Sequence, residues 1–335
     1  MRPRCPFPLA LLLLLPLNGC GSGVSEESTQ VNSVSFAPDG SRIATGIITT
    51  KLSNSFDENG GTSQTTTHDG AMIVFRSNST ELGRTQTGDG SRKVVYSADG
   101  NLIASADEDR KVRLYDGHTA AFIRIFEDGT TGYVSAAISP DGSMVAGGGE
   151  DQVIRLWNRQ TGALISRLNG HHNMVRSVAF SPNGKSLAST GWQDGTVRIW
   201  NVETGAAVQE IAAQLGDTYD AQWSPDSQRI AVAGDNGILL MDAISGTSRK
   251  LLVGQAFIVY SVQWSPDGTK LASGAGDVTA AIWDAQSGDE LRVIYHPDKV
   301  YSVAWSPDGK TLATGSRDGH VRLFDTNNGS LIWRQ

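Results

Sequence analysis

From residue 31 onward the chain is written in short apolar runs broken by turn formers. In the last stretch the runs are "VYSVAW", "TLATGS", "HVRLFD" and "SLIWRQ", separated by Pro-Asp-Gly, Arg-Asp-Gly and Asn-Asn-Gly. β-Branched and aromatic residues dominate them, so each set of four predicts a four-stranded antiparallel meander with tight hairpins. The set then recurs. Its first turn reads "APDG" ending at Gly40, "SADG" at Gly100, "SPDG" at Gly142, "SPNG" at Gly184, "SPDS" at Ser227, and "SPDG" at Gly268 and Gly309. The steps are 60, 42, 42, 43, 41 and 41 residues, so seven units fit and only the first is oversized. One such sheet cannot bury both faces. Seven packed face to face around an axis can, and no long bare edge is left over.

The third run of each unit ends in Trp157-Asn158, Trp200-Asn201 and Trp283-Asp284, with Tyr115-Asp116, Phe324-Asp325, Met241-Asp242 and Phe75-Arg76 as degenerate copies. An aspartate lies six residues earlier in every unit: Asp69, Asp109, Asp151, Asp194, Asp235, Asp277 and Asp318. In a tight turn such a carboxylate accepts N–H groups of its own turn. This resembles the WD40 repeat over residues 31–335. The resemblance implies an all-β, seven-bladed β-propeller with four antiparallel strands per blade. It also implies a buried hydrogen-bond chain from the aspartate through a histidine and a Ser or Thr to the tryptophan. Unit four holds all of it: His171, Ser189, Asp194 and Trp200. Unit seven keeps His296, Thr314 and Asp318 and has Phe324 for the tryptophan. These are catalytic residue types, yet the resemblance makes them structural.

If the repeat is scaffold, function lies where the copies differ in an exposed place. The residues four before each turn end, Phe36, Tyr96, Ile138, Phe180, Trp223, Trp264 and Trp305, sit in the apolar run and read as core between blades. Eight before it stand Asn32, Arg92, Val134, Arg176, Tyr219, Tyr260 and Tyr301. By the resemblance this position opens on the face that carries the turns between second and third strands and the loops between blades. Arg and Tyr are favoured at protein-binding hot spots, because they bury area and keep a polar handle. Arg92, Arg176, Tyr219, Tyr260 and Tyr301 are therefore candidate protein-binding residues, joined by Trp192 and Arg317 from turns on the same face. Trp192 is an extra residue in "GWQDG", either a partner anchor or a plug against a neighbouring blade. The oversized first unit carries an insertion at about 49–68, whose Ser/Thr/Asn/Gly composition reads as a mobile loop placed by ring closure next to unit seven. Its "DENGG" lacks the ligand count of a calcium loop, so no metal is expected. Each blade reads as contiguous chain, which makes the junction of the two ends the expected weak seam.

The first residues carry a different signal. "MRPRCPFPLALLLLLPLNGCGSG" has a basic start at Arg2 and Arg4, an apolar run too short to span a bilayer, then small residues. Residues 1–19 read as a signal peptide, and "LNGC" resembles a bacterial lipobox with Cys20 as the lipidated first residue of the mature chain. Residues 20–30 then form a flexible tether to a membrane; plain secretion with cleavage near Gly19 to Gly23 is the alternative. Both cysteines, Cys5 and Cys20, lie in this segment, so the folded part has no thiol for a disulfide, a nucleophile or a metal. The net charge of -7, without a long basic run, argues against a nucleic-acid surface.

Together these readings predict a non-enzymatic scaffold without a cofactor. It is exported, held by lipid on the periplasmic or surface side of a bacterial membrane, and takes a protein or peptide on its tyrosine-bearing face. The alternative is a small-ligand or enzymatic propeller that uses its central channel. That reading needs convergent acid, base or metal groups at the channel mouth, and the six histidines show no such clustering along the chain.

Overall fold

Seven four-stranded antiparallel sheets form from consecutive chain in the computed structural model, which describes residues 25–56, 62–78, 80–88, 90–129, 131–247 and 250–335. We label the strands of each blade a to d from the axis outward. The a strands are Ser25–Phe36, Ser91–Tyr96, Tyr133–Ile138, Val175–Phe180, Thr218–Trp223, Val259–Trp264 and Val300–Trp305, and they number the blades one to seven. Neighbouring a strands pack against each other around the axis, and the a strand of blade seven meets that of blade one, so the ring closes. Among the described residues no strand is exchanged between the chain ends. Closure rests on contacts between blades.

Those contacts repeat at three radii. Near the axis, a serine early in four of the a strands accepts an N–H from the next blade: Val34 to Ser302 (3.1 Å), Val94 to Ser33 (3.0 Å), Val178 to Ser135 (3.1 Å) and Val303 to Ser261 (3.4 Å). Asp220 does this work around blade five, accepting from Ser177 Oγ at 2.9 Å and from Val262 N–H at 3.3 Å. Further along the strand the tryptophans read as core are buried between blades. Their indoles donate to the preceding blade, Trp223 to Ala179 O (3.0 Å), Trp264 to Gln222 O (3.1 Å) and Trp305 to Gln263 O (3.2 Å). On the far face the a–b turn proline of one blade lies against the turn glycine of the next, as in Pro307 on Gly40 and Pro38 on Gly100.

The seam between blades two and three breaks the pattern twice. Blade two has Lys93 at the serine position, and an ammonium accepts nothing. It has Ala98 at the proline position, and the neighbouring Gly142 faces open space. The chain-end seam, by contrast, has the Ser302 bond, the Pro307 contact and a buried cluster that joins Val31, Val34 and Ile43 to Ala304, Ala313 and Leu323.

The hydrogen-bond chain expected in blade four is present. His171 Nδ1 meets Asp194 Oδ2 at 2.7 Å, His171 Nε2 meets Ser189 Oγ at 2.7 Å, and Trp200 Nε1 donates to Ser189 Oγ at 2.8 Å. Burial raises the Asp194 pKa, but bonds from His171 and Thr196 outweigh it and hold the carboxyl at about 2. The side chains of His171 and Asp194 are 0% and 3% exposed, so no substrate reaches them. Blade six carries a version that the sequence reading missed. Gln255 replaces the histidine, its Oε1 accepting from Ser273 Oγ (2.7 Å), which accepts in turn from Trp283 Nε1 (2.8 Å). In blade seven His296 reaches Thr314 (2.8 Å), while Asp318 turns to Arg322 (2.5 Å) instead of the histidine. Blades two and three use the same arginine solution, with Arg113 on Asp109 and Arg155 on Asp151 (2.7 Å). Trp157 finds no acceptor for its indole, because Gly147 occupies the place of Ser189.

Blade one corrects two expectations. The insertion is a ribbon, not a mobile loop: strands Arg42–Phe56 and Thr62–Arg76 pair without a break from Arg42↔Arg76 to Phe56↔Thr62. Residues 25–30 are likewise strand instead of tether, pairing with the ribbon from Ser25↔Ser53 onward. The threonines of this segment are polar but β-branched, hence strand formers. Lys51 on the middle strand links Glu27 (4.0 Å) and Asp69 (3.0 Å) on its two neighbours. The proposed signal peptide, Cys20 and the "DENGG" tip lie outside the described residues.

Three outcomes are expected. Ala98→Pro restores the missing turn proline and raises stability by about 0.4–1 kcal/mol, read as a higher urea midpoint at unchanged slope. In the unaltered chain, hydrogen exchange opens the seam between blades two and three before the chain-end seam. Burial holds the His296 pKa down at about 4, against 6.5 for a free imidazole. The unfolded chain therefore binds a proton that the folded one refuses. This contribution is complete above pH 6.5 and is lost as pH falls through 4, about 3 kcal/mol in all. His296→Gln, the blade-six solution, flattens that part of the profile in urea titrations between pH 7 and pH 4.

Candidate functional site

Every a strand is irregular at its second or corresponding residue. The pairing with strand b skips one position between Val31 and Ser33, Ser91 and Lys93, Val175 and Ser177, Thr218 and Asp220, Val259 and Ser261, and Val300 and Ser302. Blade three does the same between Tyr133 and Ser135. The skipped residues are Asn32, Arg92, Val134 and Arg176 on one arc, and Tyr219, Tyr260 and Tyr301 on the other. These are the positions the sequence singled out. A bulged residue leaves the ladder and its side chain is re-aimed. Here all seven line one cavity of about 430 Å³ at the channel mouth, within the size range of pockets that take a small ligand.

The tyrosine arc packs edge to face. Ring centroids lie 5.7 Å apart for Tyr219–Tyr260 and 5.1 Å for Tyr260–Tyr301, with interplanar angles of 79° and 75°. Burial raises the pKa of all three phenols, so they are neutral hydroxyl donors at physiological pH. Tyr219 already donates to Asp235 Oδ1 at 3.0 Å. Phe257, in the loop that enters blade six, flanks Gly276 together with Tyr260 and is 63% exposed. The sequence reading passed it over. Its signal was an aromatic in the loop "VGQAFI" immediately ahead of an a strand.

The opposite arc is basic. Arg92 pairs with Glu108 at 2.7 Å, and Lys93 reaches from blade two to Asp220 of blade five at 3.5 Å. Asp220 is 2% exposed and also accepts from Gln222 Nε2 at 3.1 Å. Arg176 differs from both cations: among the described residues its guanidinium has neither an ion pair nor a hydrogen bond. Burial lowers its pKa, as does the neighbouring Arg92. An arginine stays charged through such a shift. The cavity thus holds three cations against two carboxylates, and both carboxylates are engaged.

Trp192 and Arg317 do not line this cavity. Trp192 is half-buried in its turn, where its backbone N–H donates to Met174 O at 2.8 Å. Arg317 is exposed on the rim, forms no ion pair among the described residues, and its charge is felt at Tyr260 and Tyr301. No three His, Cys, Asp or Glu side chains among the described residues converge as metal ligands.

The family model for the WD domain, G-beta repeat, matches residues 21–53, 82–116, 121–158, 162–201, 246–284 and 288–325. The matched repeat is offset from the blade by one strand: 82–116 spans strand d of blade one, Glu81–Gln86, and strands a to c of blade two. Strands a to c of blade five go unmatched yet fold like the rest, with Val232 and Met241 where blade four has Ser189 and Trp200. No curated protein matches the chain. The matches cover most of the ring, and the chain belongs to the WD40 repeat family.

Proposed function

We propose that this protein is a non-enzymatic platform that holds a protein or peptide over the channel mouth, on the face carrying the b–c turns and the loops between blades. The observation that supports it most is the set of seven bulges. The scaffold repeats its contacts from blade to blade, while the one position released from the ladder varies and turns every copy into a single cavity. WD40 propellers commonly serve as interaction scaffolds, and tyrosine edges beside an exposed Phe257 suit a peptide chain laid across the opening.

The platform is exported and lipid-anchored through Cys20, a reading supported by the basic start, the short apolar run and "LNGC". Strand a of blade one begins at Ser25 and descends past Asn32 at the mouth. The anchor would therefore attach on the mouth side, and the five-residue connection spans at most about 18 Å. The binding face is turned toward the membrane in this arrangement, which favours partners that are themselves envelope proteins. A second reading, a small ligand in the channel mouth, is favoured by the cavity volume of about 430 Å³. A bound small molecule found by native mass spectrometry of purified protein would support it.

Replacing Tyr219, Tyr260 and Tyr301 together by Ala should weaken partner capture by roughly tenfold or more in the native envelope, as loss of a hot-spot cluster does. Thermal unfolding should stay cooperative; unchanged capture by the folded variant would refute the site. Cys20→Ser should move the protein from the membrane fraction to the soluble exported fraction and abolish incorporation of labelled fatty acid.

A further inference from the structure

We infer that the channel mouth selects a peptide through an acidic side chain, whose carboxylate seats on Arg176. This rests on the proposed peptide-binding role and names what that site recognises. A guanidinium carries five N–H donors in a planar fork that fits a carboxylate with two parallel bonds. Every other charge lining the cavity has a partner of opposite sign: Arg92 pairs with Glu108, though its Nε makes no hydrogen bond, and Lys93 pairs with Asp220, which Ser177 and Gln222 also hold. Arg176 alone faces the cavity without an acceptor among the described residues, in a place where burial already disfavours its charge. Arg176 is half-buried, and an incoming carboxylate would exchange the solvent at its guanidinium for charge-assisted bonds.

The surroundings set the sign and the shape of the ligand. Three tyrosines around an opening suggest a cage for a cation, but Arg176, Arg92, Lys93 and the rim Arg317 oppose one. Asp235 lies on the tyrosine side, where the Tyr219 hydroxyl and the Asp217 N–H (2.9 Å) hold it. The anion therefore enters on the arginine arc. Arg176 and Tyr219 are bulged residues of adjacent blades, so a chain whose carboxylate sits on Arg176 runs its next residues over Tyr219 and Tyr260 toward Phe257. Hydroxyls of neutral tyrosines can donate to its backbone carbonyls. A segment with one acidic residue followed by apolar or aromatic residues fits this layout.

The test uses the exported folded chain and three fluorescein-labelled peptides, acetylated and amidated, of sequence Gly-Xaa-Phe-Gly-Phe-Gly with Xaa as Glu, Gln or Lys. Fluorescence polarisation should show binding of the Glu peptide, weakened roughly thirtyfold in Arg176→Gln and by added salt. Arg176→Glu should reverse the preference in favour of the Lys peptide, an outcome that mere loss of folding cannot give. Free citrate should compete only at far higher concentration than the unlabelled Glu peptide. Equal binding of all three peptides by the wild type and by Arg176→Gln, lost when the tyrosines become Ala, overturns the anion inference and leaves the binding face intact. Glu-peptide binding indifferent to both the tyrosine and the arginine changes overturns both. Citrate binding as tightly as the peptide, or Arg176-dependent binding to phosphatidylglycerol vesicles without peptide binding, assigns the cation to a free anion or a lipid and also overturns it.

Discussion

The structure depends on how one twisted sheet meets the next near the axis. A four-stranded blade has two apolar faces, and only a neighbour on each side removes both from water. Burial of that kind gives stability without saying where each blade must stop. Directional bonds supply the register: small Ser33, Ser135, Ser261 and Ser302 allow close approach and take an N–H from the next strand. Further out, Trp223, Trp264 and Trp305 fill the widening wedge and bond backward to the blade before. Small residues at the axis and large ones further out are what a wedge requires. The same gradient leaves the bulged residue of each a strand with no role in the seam. It is the place where the sequence is free to vary.

That freedom explains what was legible in the chain. The turn signals and the apolar runs gave the number of blades because each copy faces the same packing problem. Position eight before the turn stood out by its variation, yet nothing in a single unit announces a bulge. Only the pairing of Arg176 or Tyr260 with neither neighbour on strand b shows why those side chains leave the sheet. Composition misled where a residue type serves two ends. The threonines of "TSQTTTHD" read as loop because they are polar, but their branching at Cβ makes them build a ribbon. Phe257 was hidden for the opposite reason: it lies in a loop of no fixed length, so no alignment of the units marks it.

The repeated aspartate shows that one geometric need has several chemical answers. The carboxylate sits at the b–c turn in blades two to seven and within the ribbon in blade one, and the blades give it different partners. Those are His171 in blade four, arginines in blades two, three and seven, Lys51 in blade one, the Tyr219 hydroxyl in blade five and the Thr279 hydroxyl in blade six. A histidine, serine and aspartate in contact are therefore weak grounds for catalysis in this ring. Their solvent exposure decides the matter, and in blade four it is nearly zero.

The irregular seam and the candidate site share a residue, and this joins scaffold to function. Lys93 forfeits the axial bond between blades two and three, and its ammonium reaches the channel wall at Asp220 of blade five. Asp220 in turn accepts from Ser177 Oγ and from the Val262 N–H, taking the place of the serine that blade five lacks. A serine at both places would build a more regular ring. The chain keeps the lysine and aspartate instead, occupying each with the other, and Arg176 is the one cation lining the cavity without an ion pair among the described residues. Departures from the repeat that weaken a seam are expected to persist where they shape a site. Lys93 is such a departure, and its position on the cavity wall supplies the reason.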